Sequence, residues 1–436
     1  MILLVKVGRP AAGRLKFALV YGLTAVVVIG AALAVLVWGL ATRDEDPRLP
    51  EPRSFVDSTT RVERGAYLAR AGDCEGCHTP RGGPAMSGGV QVDTPFGSVS
   101  APNLTPDDET GLGRWSEADF WRALHNGRSR DGRLLAPAFP YPQFTQIERE
   151  DAAALFAWLR SLPAVRRAPQ ANHLRWPYGT QPALAVWRAL YFDPGVYVPD
   201  TARDATWNRG AYLVQGPGHC EACHSTHDAL GGIEARGAFA GGLMPLKHWY
   251  APSLASSQEA GVTQWDQAQV VALLKTGVSP RGAVMGPMAD VVADGTRHLA
   301  DDDLLAMAVY LRSLPAHDAP APRFEPAPEA QMRAGGQVYT DHCARCHGDA
   351  GEGAPGAYPA LAGNRSVTLS SPVNVVQAVL AGGYPPSTDG NPRPYGMPPF
   401  VATLDEAQVA AVATFVRQSW GNRASAVSAL DVTKAR

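Results

Sequence analysis

Cysteine is scarce in this sequence: six residues among 436, all of them in one spacing that recurs three times. Charge of a single sign is scarce too. Lys and Arg number 39 against 41 Asp and Glu, a formal net charge of −2. No one-signed field therefore draws the chain to nucleic acid. Long apolar runs are confined to one stretch near the N-terminus. No Gly-x-Gly-x-x-Gly fingerprint opens a strand–helix unit, which excludes a dinucleotide fold of that type. No catalytic triad is evident. What is present is material for packed cores and many loops. Hydrophobic residues make up 45% and charged residues 18%, with 44 glycines and 37 prolines. The length suits two to four loop-rich domains.

The one apolar run extends from Phe17 to Ala41 without a charge. It exceeds the roughly 20 residues needed to cross a bilayer core. Lys6, Arg9, Arg14 and Lys16 precede it; Arg43, Asp44, Glu45 and Asp46 follow. Positive charge stays on the cytoplasmic side, so the rest of the chain is expected outside. Gly39-Leu40-Ala41 could serve as a signal cleavage site. A signal core is usually only about 7–15 residues long, so the run reads as an uncleaved anchor over 1–45.

Aligning the cysteines exposes an internal repeat. Glu63-Arg64-Gly65-Ala66-Tyr67-Leu68 leads to Cys74-Glu75-Gly76-Cys77-His78. Asn208-Arg209-Gly210-Ala211-Tyr212-Leu213 leads to Cys220-Glu221-Ala222-Cys223-His224. Gly335-Gly336-Gln337-Val338-Tyr339 leads to Cys343-Ala344-Arg345-Cys346-His347. Each repeat closes on an apolar helical pattern, over 152–162, 304–314 and 407–420. Two of these end in Leu-Arg-Ser-Leu-Pro, where proline stops the helix. The fold expected is all-α: three tandem helical domains over 58–165, 203–316 and 329–422, behind one N-terminal transmembrane helix. The connector over 164–202 carries Trp176, Tyr178, Trp187, Tyr191 and Phe192 and is expected to pack on the domains. The prolines at 320, 322, 326 and 328 suggest a semi-stiff spacer before the third domain.

Cys-x-x-Cys-His is the signature of c-type haem attachment. The two thiols lie on one helical turn, each able to add to a vinyl group of one porphyrin. The histidine that follows then stands under the iron. Zinc would want four Cys or His ligands in paired clusters, which three separated motifs do not offer. A thioredoxin-type reading lacks its strand–helix–strand context. Cys74, Cys77, Cys220, Cys223, Cys343 and Cys346 are thus read as thioether positions for three covalent haems. His78, His224 and His347 are read as their proximal ligands. No cysteine is left for a disulfide.

A methionine on the far side would complete a six-coordinate electron-transfer iron. In the third repeat Met397 stands in Gly396-Met397-Pro398-Pro399, a loop with no amphipathic use for it. In the second, Met285 and Met288 compete; Met288, at the helix side of the loop, is preferred. Met307 reads as helix core and Met244 as loop packing. The first repeat has Ala136-Pro137-Ala138-Phe139-Pro140-Tyr141 in the equivalent loop, and phenylalanine cannot ligate iron. Met86 follows His78 too closely and tends to stay on the proximal side. His125 reads as a helix-surface or propionate-contacting residue. The first haem is expected to be five-coordinate or weakly ligated.

The exported part resembles the tri-haem cytochrome c subunits of membrane-bound periplasmic dehydrogenases. The words that carry the resemblance are Arg64-Gly65-Ala66-Tyr67-Leu68, Pro102-Asn103-Leu104-Thr105-Pro106-Asp107, Gly237-Ala238-Phe239-Ala240-Gly241-Gly242, Gly286-Pro287-Met288-Ala289-Asp290, Met397-Pro398-Pro399-Phe400 and Ser419-Trp420-Gly421-Asn422. That family's first loop reads Pro-Ala-Met-Pro-Tyr, so its first methionine ligand does not carry over to Phe139. The resemblance implies a catalytic dehydrogenase subunit as partner, acting on a sugar, alcohol or aldehyde. It also implies ubiquinone or a terminal oxidase as acceptor, and haem domains on the periplasmic side of the inner membrane. Two other classes stay open: a haem enzyme using an open first haem, and the haem subunit of a terminal oxidase.

Overall fold

The structure is a computed structural model describing residues 12–41, 58–234, 236–244, 248–316 and 324–436. An N-terminal helix runs over Ala12–Ala41. Its stretch Val20–Leu40 has a mean hydropathy of 2.5 and none of it is buried by the rest of the chain. It is long and apolar enough to cross a membrane. The flanking charges Lys6, Arg9, Arg43, Asp44, Glu45 and Asp46 lie outside the described residues, as do the prolines at 320 and 322.

Beyond this helix the architecture is one packed helix pair built three times. Leading helix Ser58–Ala71 packs on closing helix Arg149–Ser161. Ala205–Gln215 packs in the same way on Asp301–Arg312, and Glu329–His342 on Glu406–Gln418. Each pair crosses at a glycine. A Cβ on Gly65, Gly210 or Gly335 would lie 2.0, 1.9 or 2.2 Å from the carbonyl oxygens of Ala154, Ala306 and Ala411. Only the missing side chain lets the backbones approach so closely. The first two closing helices stop just before Leu162-Pro163 and Leu314-Pro315, as the repeated word requires.

Each pair has its own apolar core. Leu68, Phe120, Leu124, Phe144, Leu155 and Leu159 fill the first. Leu213, Phe239, Trp265, Leu304, Met307 and Leu311 fill the second, and Tyr67 and Ala71 of the first pair reach into it. Val338, Val376, Leu380, Val409, Val412 and Val416 fill the third. This third core continues past residue 422. A final helix, Ala429–Ala435, opens on a Ser428–Asp431 capping box and buries Val432 in it. Short middle helices complete each unit. Glu117–Asn126 starts at a Ser116–Asp119 capping box and ends on Gly127 at φ 61°. Gln267–Thr276 repeats the device with Asp266, Gln269 and Gly277 at φ 76°.

The all-α expectation needs a correction in detail, because small antiparallel sheets are present. Gln91–Thr94, Gly97–Ser100 and His173–Leu174 form one of three strands; Gly242–Met244 pairs with Trp249–Ala251 and Val278–Ser279 with Gly282–Ala283. These strands are two to four residues long, below the length at which alternation is legible. The first sheet takes its third strand from the connector. The connector also binds the first unit through Val165 and Tyr197, and its helix Gln181–Tyr191 packs on the N-terminal helix. It is a packed element, as Trp187, Tyr191 and Phe192 suggested, although Trp176 stands 86% exposed.

Candidate functional site

The leading helices deliver three identical constructions. Each runs into a short helical turn holding the Cys-x-x-Cys-His residues: Cys74–His78, Glu221–His224 and Ala344–His347. None of the six cysteines is in a disulfide, and each is at least partly accessible. Burial, followed by nearby acidic groups, pushes Cys74 up to about 12. Burial likewise raises Cys220 to about 12 and Cys343 to about 11. Among the described residues no group of three or more His, Cys, Asp or Glu is placed to hold a metal ion.

The three histidines are oriented alike. Nδ1 of His78 lies 2.9 Å from the Pro102 carbonyl, that of His224 2.8 Å from Pro252, and that of His347 3.0 Å from Pro359. A carbonyl only accepts, so Nδ1–H donates and the Nε2 lone pair is left for a metal. Burial lowers all three histidines below the usual imidazole range, against the opposing pull of the proline carbonyl, which keeps them in the neutral, ligating form. The haem-attachment spacing does not reveal these proline acceptors. Their signal is a repeated Pro-x-Leu word: Pro102-Asn103-Leu104, Pro252-Ser253-Leu254 and Pro359-Ala360-Leu361. Its leucine N–H closes the same loop each time, on the carbonyls of Met86, Phe239 and Gly351.

That loop decides where Met86 belongs. Gly88, Gly241 and Gly353 donate to the carbonyls of His78, His224 and His347, so Met86, Phe239 and Gly351 occupy one equivalent position. All three have positive φ, at 57°, 54° and 68°. Two of the three side chains cannot ligate anything. Where the third unit has glycine, the Trp420 ring fills the space, 2.5 Å from a Cβ placed on Gly351. Met86 is fully buried in the first core at this packing position.

Met288 packs against the second core and Met397 against the third. Met397 is pinned by paired backbone hydrogen bonds with Gly383, 2.8 and 3.0 Å long. Met285 turns away: its Cε lies 3.4 Å from a Cβ placed on Gly383, in the third unit. Phe139 is half-buried against the first core, 5.4 Å from the Phe144 ring centroid. Met307 is core, as expected. His125 corrects the reading of a surface residue. It is fully buried, stacked 4.4 Å from Trp121, with Nδ1 3.3 Å from the Thr145 hydroxyl.

The residues fit a covalent haem at each construction: two free thiols on one turn and a histidine with Nδ1 committed and Nε2 spare. The first unit adds buried polar atoms without a protein partner, Trp121 Nε1 and both side-chain polar atoms of Asn126. A porphyrin edge with carboxylates would accept from the two N–H groups, Trp121 Nε1 and Asn126 Nδ2.

Comparison with known proteins agrees with this geometry. The family model for Cytochrome c matches residues 62–163 and 332–420. The chain is 37% identical over 396 residues to the cytochrome c subunit of the quinone alcohol dehydrogenase of Gluconacetobacter polyoxogenes, covering 86% of this chain and 84% of that one. It is 36% identical over 393 residues to the gluconate 2-dehydrogenase cytochrome c subunit of Pantoea cypripedii, covering 86% and 89%. It is 30% identical over 414 residues to the fructose dehydrogenase cytochrome subunit of Gluconobacter japonicus, covering 88% and 85%.

Proposed function

Since the chain belongs to the family of cytochrome c subunits of alcohol and gluconate dehydrogenases, we propose that it is a tri-haem electron-transfer subunit of a membrane-bound periplasmic dehydrogenase. In that role the chain would receive electrons from a separate catalytic subunit and deliver them to ubiquinone or a terminal oxidase. The observation that carries this is the threefold construction of Cys-x-x-Cys-His with its His–Pro hydrogen bond.

In this reading Cys74, Cys77, Cys220, Cys223, Cys343 and Cys346 carry the thioethers. His78, His224 and His347 would hold the irons as proximal ligands, with Met288 and Met397 as distal ones. Haem supplies one-electron redox chemistry between ferric and ferrous iron. The protein binds, spaces and tunes the groups. The proline carbonyls hold each imidazole in the ligating tautomer and raise its basicity. The apolar helix Ala12–Ala41 anchors the chain by a single pass, with the three haem units outside. Phe139, in place of a methionine, would offer no thioether to a haem held in the first unit.

The test is the purified holoprotein's mass and haem-to-protein ratio, with electron uptake from the dehydrogenase expressed alongside it. Three covalent haems, reduced by the partner's substrate and reoxidised by a quinone, are expected. Fewer than three haems, or no reduction through the partner, would overturn the proposal.

A further inference from the structure

The first two units are joined by a contact made twice. Tyr67 of the first leading helix donates to Asp303 Oδ2 of the second unit at 2.5 Å, and its hydroxyl accepts from the Ala300 N–H at 3.1 Å. Tyr212, at the same place in the second leading helix, donates to Asp151 Oδ2 of the first unit at 2.6 Å and accepts from the Glu148 N–H at 3.4 Å. The two halves match residue for residue. Glu148 and Ala300 are the residues that open the closing helices, and neither supplies a side-chain cap of its own. Asp151 and Asp303 sit in the first turns of those helices. Each tyrosine therefore completes the N-terminus of the opposite unit's closing helix, where orphan N–H groups need partners. Each aspartate is also held by an arginine of its own unit, Arg64 on Asp151 and Arg209 on Asp303.

The third unit has neither half. Counting from its crossing glycine, Gln337 stands where the tyrosines stand, and it bonds Asp341 on its own helix at 2.9 Å. Gln408 stands in place of the aspartates and closes a capping box with Asp405 inside the unit. The third unit instead meets the second elsewhere, through Asn374 on the Tyr250 backbone and Thr388 on the Thr276 carbonyl. A pairing device present in two repeats and missing from both positions of the third is not explained by repeat ancestry alone.

The clasp lies directly upstream of the haem-attachment turns. Tyr67 and Cys74 are on or just beyond one leading helix, Tyr212 and Cys220 on the other. Past the clasp the two units touch: a Cβ on Gly72 would lie 3.2 Å from the Pro217 carbonyl oxygen, and the Phe144 and His219 rings meet at 5.2 Å. We propose that Tyr67–Asp303 and Tyr212–Asp151 form a reciprocal clasp that holds the first two haem-attachment turns together as one electron-exchanging pair, with the third unit joined in series through the second. Tyr67 and Tyr212 are thus positioning residues. Burial and then the hydrogen bond to Asp303 push Tyr67 up to about 12, so its hydroxyl stays a donor across the working range. The inference rests on the haem reading above.

The experiment uses the full holoprotein with Tyr67→Phe, Tyr212→Phe and both together. Two readouts are taken: amide exchange at Ala300 and Glu148, and interhaem electron transfer after flash reduction. A hydrogen bond to a charged group is worth about tenfold or more in an equilibrium. Y67F should speed exchange at Ala300 by about that factor without affecting Glu148, and Y212F the reverse. The double variant should slow exchange between the first two haems while the step to the third keeps its rate. Unchanged amide protection, or lost protection with an unchanged first interhaem step, would overturn the clasp. Should the double variant not assemble, the single variants decide by the same two readouts. A wild-type chain with fewer than three haems would defeat the function proposed above, while the amide readout still judges the clasp.

Discussion

Replacing the crossing glycine of the third unit should separate backbone packing from helix propensity. A Cβ on Gly335 falls 2.2 Å from the Ala411 oxygen and 2.7 Å from Phe415 Cβ. Ordinary contact begins near 3.4 Å, so in Gly335→Ala the helices Glu329–His342 and Glu406–Gln418 must part by about 1 Å. That gap opens beneath Val338, Val409, Val412 and Val416. Overpacking of this kind costs about 1–3 kcal/mol, and a forced backbone clash belongs at the upper end. Alanine in a helix interior recovers about 1 kcal/mol relative to glycine. The net is a loss of about 2 kcal/mol, a fall of roughly 10 °C in the melting of a unit this size. The neighbouring Gly336→Ala is the control, because its Cβ would meet only the rim of the Phe415 ring, at 3.2–3.7 Å. There the propensity gain should leave stability equal or slightly higher. Thermal unfolding of the holoprotein, followed by far-ultraviolet circular dichroism and haem absorption together, measures both. A Gly335→Ala chain that melts with wild type, or falls no further than Gly336→Ala, would refute the close-crossing argument.

The ligand assignments make their own forecasts. Reduced wild type should bind carbon monoxide at about one haem in three, and Phe139→Met should abolish that binding, as read from the Soret shift. Met397→Ala should open a second carbon monoxide site and lower the potential of one haem, whereas Met285→Ala should change neither, since Met285 points to the Gly383 backbone. The clasp should also be acid-sensitive. Burial tends to raise Asp303, but hydrogen bonds from Arg209 and Tyr67 outweigh it and hold the carboxyl below its usual range. A depressed folded-state value stabilises above the unfolded value, near 4, and that stability is lost as pH falls through the folded value. Amide protection at Ala300 should therefore hold from neutral pH to about 4 and decline below it; protection that instead falls near pH 6 would contradict this.

Much of the site was legible because haem attachment is local. Two thiols and a histidine must share one helical turn, so their spacing survives in any context. The repeated Arg-Gly-Ala-Tyr-Leu and Leu-Arg-Ser-Leu-Pro words marked the leading and closing helices for the same reason, as did the uncharged run that forms Ala12–Ala41. The Pro-x-Leu word was equally present, but nothing in it announces that a proline carbonyl receives the histidine.

What required the tertiary structure are the contacts between residues far apart in the chain. Tyr67 and Asp303 are separated by 236 positions, and both look ordinary in sequence: one an aromatic on an amphipathic helix, the other an acid in a helical first turn. Met86 became a packing residue only when the backbone network aligned it with Phe239 and Gly351. His125 lost its surface reading once Trp121 and Thr145 closed over it. Met285 and Met288 are three positions apart in one loop, and only the third unit's backbone at Gly383 distinguishes them. Sequence by itself determined the three Cys-x-x-Cys-His motifs, because covalent attachment is set by near neighbours; the folded chain decided where each methionine packs and which units meet, because those contacts exist only after distant segments pack.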